Sequence, residues 1–199
     1  MKNPPLQLTI EMPRWVHAEQ QKLPSHLTSI DQQMKAIMRF SRLNFQHNTG
    51  GPFAAGVFEK ESGKLVAIGV NRVVPENVSS AHAEIIALSL AQQKLGTFDL
   101  GGPDMPHHRL VVNGRPCAMC FGSLPWSGVR SLVIGASGEQ IETITGFDEG
   151  PIHPCWREEL QNRGIEVIEN VLADQACEIF REFAASGAAV YNGRSATDE

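Results

Sequence analysis

Apolar positions in this chain switch repeatedly between the spacing of a half-buried helix and the short unbroken runs that suit strands. Ile30, Met34, Ile37, Met38 and Phe45 keep near helical period behind Ser29, whose spacing to Gln32 fits a reciprocal cap, and they predict a helix over 29–46. Asn48-Thr49-Gly50-Gly51-Pro52 ends it. Phe53 to Phe58 and Leu65 to Val70, separated by a turn at Glu61-Ser62-Gly63, predict a hairpin. Asn71 and the irregular stretch Val74-Pro75-Glu76-Asn77 follow, and then Ser79 or Ser80 can cap a helix over 81–94 carrying Ile85, Ile86, Leu88, Leu90 and Leu95. Gly96, Gly101, Gly102 and Pro103 mark a long loop before the strand Leu110-Val111-Val112-Asn113. Pro116 then suits the first turn of a helix over 117–125, where its missing N–H costs nothing. Leu132 to Gly135 predicts another strand, Gly146 to Gly150 a surface loop, 155–162 a short helix and Ile165 to Ile168 a last strand. Asp174 can open a final helix with Ala176, Ile179, Phe180 and Phe183 on its buried face. Short strands alternating with helices place the chain in the α/β class.

The flanks lose this regularity. Residues 1–27 hold Pro4, Pro5, Pro13 and Pro24 and read as an N-terminal arm with one strand at Leu6 to Ile10; residues 186–199 read as a tail. Residues 28–185 remain as one domain, since 199 residues suffice for one substantial core and are short for two. Lys and Arg number 17 against 22 Asp and Glu, and the net charge of −5 argues against a surface that follows a phosphate backbone, so no nucleic-acid partner is expected. Met1-Lys2-Asn3-Pro4-Pro5 lacks the apolar stretch of a secretory signal, and no run approaches the ~20 apolar residues that span a bilayer. A cytoplasmic location is expected, and with it reduced thiols. The four cysteines, Cys117, Cys120, Cys155 and Cys177, then divide between metal binding and buried free thiols, with Cys177 in an apolar helical pattern. His107, His108 and His153 have no ligand spacing and read as exposed polar groups.

The chemistry-bearing residues fall in two motifs, His82-Ala83-Glu84 and Pro116-Cys117-Ala118-Met119-Cys120. Each alone is weak, because His-x-Glu is common on surface helices and Cys-x-x-Cys serves structural zinc and redox sites equally. Together, each opening a predicted helix, they offer one imidazole and two thiolates, a donor set for zinc that leaves one tetrahedral position for water. Glu84 is placed to take a proton from such a water. A fourth protein ligand, for which Cys155 is available, would instead make the site structural.

These residues carry a resemblance. His82-Ala83-Glu84 with Pro116-Cys117-Ala118-Met119-Cys120 resembles the H-x-E and P-C-x-x-C signature of the zinc-dependent cytidine and deoxycytidylate deaminase superfamily, over about residues 30–185. The resemblance implies a three-layer α/β/α sandwich around a mixed five-stranded sheet. It also implies one zinc ion per subunit on His82, Cys117 and Cys120, with Glu84 as the proton shuttle. Gly50-Gly51-Pro52-Phe53, Gly69-Val70-Asn71-Arg72-Val73, Cys120 to Trp126 and Gly146-Phe147-Asp148 are similar to the bacterial guanine deaminase branch. That likeness implies Asn71 bonded to the base, Phe53 flanking it and Asp148 or Glu149 reading guanine's amino edge; Trp126 is expected mainly in the core, with a pocket-wall role as the alternative. It further implies a homodimer in which Tyr191, the chain's one tyrosine, closes the partner's pocket. The implied activity is hydrolysis of guanine to xanthine and ammonia in purine catabolism, with amino-triazines such as ammeline as further substrates. A tRNA adenosine deaminase, a cytidine or deoxycytidylate deaminase and a non-catalytic zinc protein are the alternatives. Arg115 departs from the pattern, standing where the family usually has glutamate, and the arm and the 96–108 loop are larger than the simple pattern.

Overall fold

The computed structural model describes residues 6–192. The arm forms no strand at Leu6 to Ile10; it contributes instead α1 (Arg14–Gln20), which starts directly after Pro13. Val16 is buried and the Trp15 ring lies 5.9 Å from that of Phe40, so this part of the arm is packed against the domain. Apolar contacts of Met12, Trp15 and Val16 outweigh the proline-rich composition that suggested an extended lead.

The next element, α2 (Ile30–Gln46), has the expected reciprocal cap: Ser29 Oγ accepts from Gln32 N, and the Ser29 amide donates to Gln32 Oε1. The hairpin follows as β1 (Ala54–Glu59) and β2 (Leu65–Val70), then a single helical turn α3 (Val73–Glu76) in the stretch expected to be irregular. Helix α4 (Ala83–Leu95) leads to β3 (His108–Gly114), α5 (Ala118–Ser127) and β4 (Ser131–Ala136). A helix that the apolar pattern did not announce, α6 (Gly138–Thr145), is capped by Ser137, whose Oγ accepts from Gln140 N. The chain continues through α7 (Trp156–Gln161), β5 (Glu166–Ile168) and α8 (Ala173–Ala185).

The sheet runs β2-β1-β3-β4-β5, with β1 antiparallel to both neighbours and β3, β4 and β5 mutually parallel. Strand alternation supplies both faces with apolar side chains. Ala54, Phe58, Val111 and Val133 pack beneath α2, α6 and α8, whereas Ala55, Val57, Leu110, Val112, Leu132 and Ile134 pack beneath α4, α5 and α7. The result is the three-layer sandwich with a mixed five-stranded sheet. His108 corrects one expectation: β3 starts before its apolar run, so this histidine is fully buried beside Glu59 of β1, with Nδ1 2.7 Å from the Leu100 carbonyl oxygen. Cys177 is buried, and Cys155, at the start of α7, is exposed. No helix among the described residues is long and apolar enough to cross a membrane.

Pairing of Ala54 with Val70 and of Gly114 with Ala136 puts the start of β1 and the ends of β2, β3 and β4 at one edge of the sheet. Helices α4 and α5 begin at that edge. Helix α4 lies directly on β2, where a Cβ on Gly69 would fall 2.4 Å from the Ala83 carbonyl oxygen, so only glycine lets the helix start sit this deep.

Candidate active site

His82 is the N-cap residue of α4 and Cys117 that of α5, with Cys120 in the first turn of α5. Both caps have extended backbone and no capping side-chain bond, which leaves the imidazole and the thiol free to turn toward each other. The donor atoms of His82, Cys117 and Cys120 all lie within 4.8 Å of one another, and Cys117 Sγ is 3.6 Å from His82 Nδ1. Among the described residues these are the His, Cys, Asp and Glu side chains gathered closely enough to hold an ion, and Cys155 is not among them.

The protonation states show the strain of this gathering. A hydrogen bond from Cys120, followed by one from His82, holds the Cys117 thiol down to about 4. Cys120 is pushed strongly up, first by serving Cys117 as donor and then by burial. Burial works against a charged His82, but the Cys117 bond and the Glu84 charge outweigh it and raise its pKa. Two thiols competing for one proton beside an imidazole form a site where a cation relieves the conflict, and the donor set fits zinc.

Glu84, in the first turn of α4, is 6% exposed, and burial foremost raises its pKa above the ordinary carboxylate value. It opens onto a cavity of about 280 Å³ that is also lined by His82 and Cys117, close to the small end of ligand sites at ~300 Å³. Phe53 and Phe147 form an edge-to-face pair at 5.3 Å on one wall, and Tyr191 continues it at 5.0 Å from Phe147. Asp148 and Glu149 line the same cavity. Asp148 is exposed, whereas Glu149 is 5% exposed and is pushed up to about 8 by burial first and then by the Cys117 and Glu84 charges. The Glu149 carbonyl accepts from Ala118 N at 2.9 Å, so this loop is tied to the start of α5.

Asn71 is 1% exposed at the end of β2 and stands behind the cavity wall, where its amide nitrogen donates to the Tyr191 hydroxyl. Trp126 is not brought to the site and is not in the core: it is 85% exposed. Leu124 and Ser127 take the inward side of α5, and the helical rotation to Trp126 carries its ring to solvent.

Val73, Ser79, Arg115, Phe147 and Asn192 complete the lining. Ser79 does not cap α4, because that helix starts at Ala83. Arg115, the departure from the family pattern, places a cation in a cavity otherwise rich in carboxylates, and its charge opposes the rise at Glu149. Asn192 had no local signal at all. Its Oδ1 accepts from Asp148 N and its Nδ2 donates to the Gly146 carbonyl, both at 2.9 Å, and these bonds hold Tyr191 over the cavity of its own chain. Residues 193–199, the rest of the expected closing tail, lie outside the described residues.

Known proteins resemble this chain in sequence and fold. The structure of guanine deaminase from Nitrosomonas europaea superposes with a TM-score of 0.87 at 44% identity, covering 92% of this chain and 100% of that one. Guanine deaminase of Bacillus subtilis is 31% identical over 104 residues, 52% of this chain and 62% of that protein. A tRNA-specific adenosine deaminase of Buchnera aphidicola is 37% identical over 79 residues, 40% of this chain and 49% of that protein. The chain thus spans about half to three fifths of the length of these two curated relatives. The cytidine and deoxycytidylate deaminase zinc-binding region matches residues 28–136. Because that match runs from the cap of α2 through β4 and encloses both helix starts that converge on the cavity, the chain belongs to the cytidine and deoxycytidylate deaminase family.

Proposed function

We propose that this protein is a guanine deaminase, converting guanine and water to xanthine and ammonia. The observation that carries the reading is Glu84, a buried carboxyl beside the His82, Cys117 and Cys120 donors on the floor of a small, aromatic-walled cavity. The full-length likeness to the Nitrosomonas europaea guanine deaminase supports guanine as the base.

His82, Cys117 and Cys120 would hold one zinc ion. When bound, that ion supplies a water acidified toward neutrality. Glu84 takes the first proton of the water as its oxygen adds to the amino-bearing carbon and passes it to the adjacent ring nitrogen; it then carries the second proton from the new hydroxyl to the amine, which leaves as ammonia as the C–N bond breaks and the carbonyl forms. Phe53 and Phe147 confine the ring plane, Asp148 and Glu149 accept from the amino and ring N–H edge, and Asn71 donates to an acceptor of the base. Tyr191 excludes water from above. The proposal includes a cytoplasmic homodimer working in purine breakdown. An exposed stripe on α5, with Met119 at 40% and Trp126 at 85% exposure on one helical face, suits association with a second copy.

A tRNA adenosine deaminase is the second reading, favoured by the Buchnera aphidicola relative. A tail closed over the cavity and the exposed Asp148 carboxylate in its lining fit a free base better than a nucleotide with flanking phosphates. The deciding experiment is an ammonia-release panel on guanine, ammeline, adenine, cytosine, cytidine, deoxycytidylate and tRNA. Guanine should give the highest kcat/KM, with ammeline as the next substrate. Faster turnover of a tRNA or a pyrimidine would replace the proposal.

A further inference from the structure

Asn44 lies in the last turns of α2, is fully buried, and belongs to no part of the cavity lining. Every hydrogen-bonding position of its side-chain amide nitrogen is taken. Nδ2 donates to the Gly51 carbonyl at 2.9 Å and to the Asn71 carbonyl at 2.8 Å. Oδ1 accepts from the Thr49 hydroxyl at 2.9 Å, which in turn accepts from Trp15 Nε1 at 3.0 Å. A flipped amide would set an oxygen against two carbonyls, so one orientation alone is satisfied. The segment it clamps has no slack: a Cβ on Gly50 would fall 1.8 Å from the Asn71 carbonyl oxygen and 2.6 Å from Asn44 Nδ2, and Gly50 has a φ of +155°.

The clamp fixes what Asn71 can offer. With Gly51 held against the end of β2, Asn71 Oδ1 accepts from the Gly51 and Val73 amides, both at 3.3 Å. Only the amide nitrogen is left to face the cavity side, where it meets the Tyr191 hydroxyl. The same clamp places Phe53, whose N–H donates to Gly51 O at 2.9 Å and whose carbonyl accepts from Asn71 N at 3.0 Å.

We propose that Asn44 is a positioning residue for base recognition: by tying the Gly51 and Asn71 carbonyls together it presents Asn71 purely as a donor, and so selects bases with a carbonyl oxygen or an unprotonated ring nitrogen at that edge. This rests on the reading of the cavity as a nucleobase site, and it adds a residue remote from the base and the polarity of the contact.

The test uses the zinc-loaded enzyme and steady-state kinetics with guanine for Asn44→Ala, Asn71→Ala and the double variant. Asn44→Ala should raise KM about tenfold, the worth of roughly one oriented hydrogen bond, with kcat and zinc content close to wild type. In the Asn71→Ala background it should raise KM no further. An equal KM effect in both backgrounds, or a loss confined to kcat, overturns the role of Asn44. Should Asn44→Ala fail to fold, Thr49→Val decides: it removes the hydroxyl that fixes Oδ1 and should raise KM by about threefold, again only when Asn71 is present. No KM change in Thr49→Val overturns the proposal. If Asn71→Ala itself leaves KM unmoved, the base contact is wrong; if it raises KM while Asn44 acts independently, the base contact stands and only the clamp falls.

Discussion

Two walls of the cavity are built by different means. The floor, with His82, Glu84, Cys117 and Cys120, stands on the first turns of two helices that are packed to a sheet edge, and each pair of groups lies within a few residues of sequence. The roof, with Asp148, Glu149, Tyr191 and Asn192, joins a loop to a tail far along the chain, and the pieces are held by one hydrogen bond that exposed Asn192 accepts and one that it donates. Geometry in the floor is set by backbone that cannot move without unfolding a helix start. Geometry in the roof depends on contacts that open at low cost, as befits the side through which the proposed base would enter.

The largest expected effect comes from breaking the floor. His82→Ala or Cys117→Ala should abolish stoichiometric zinc binding, measured by elemental analysis, and ammonia release with it. Either change should also lower Tm, because the binding free energy of the ion adds to the stability of the folded chain and is lost with the site. Retention of one equivalent of tightly held zinc in either variant would show that the ligand set has been misread.

Breaking the roof should be gentler. Tyr191→Ala should leave zinc content and Tm near wild type while raising the KM for guanine about tenfold, since it opens the cavity to water without touching the donors below. Unchanged kinetics would remove Tyr191 from the closed state.

The smallest effect sharpens the comparison through pH. Burial pushes Glu149 up to about 8 in the folded chain, against an ordinary unfolded value of 4.5. Between those values the folded state holds a proton that the unfolded state has lost, so stability falls as pH rises from about 5 to 8. Glu149→Gln should flatten that slope in Tm across the window, whereas a slope identical to wild type would mean that Glu149 ionises at its ordinary pH in the folded protein.

The contrast also explains what could be read from the sequence. Motifs confined to one turn were legible: the Ser29 cap, the His-x-Glu and Cys-x-x-Cys helix starts, and the apolar runs of the sheet. Helix α6 carries a similar signal, a reciprocal Ser137 and Gln140 cap ahead of Ile141, but its apolar face is too short to set a helical period. The exposure of Trp126 departs from expectation because a ten-residue helix containing Pro125 carries little periodicity to mark its buried side. His108 was misplaced because its burial depends on β1 and β4 flanking the strand, a pairing that no local pattern encodes. Asn192 and the Asn44 clamp were beyond reach for the same reason: their partners are set by tertiary structure.

The most direct measurement pairs zinc analysis with guanine turnover in Glu84→Gln. This change keeps size and hydrogen bonding at the cavity floor and removes only the ability to carry a proton. One zinc per chain with kcat lowered by about 10²–10⁴ is the expected result. Ammonia release at the wild-type rate with zinc in place would contradict the role of the buried carboxyl and, with it, the proposed chemistry.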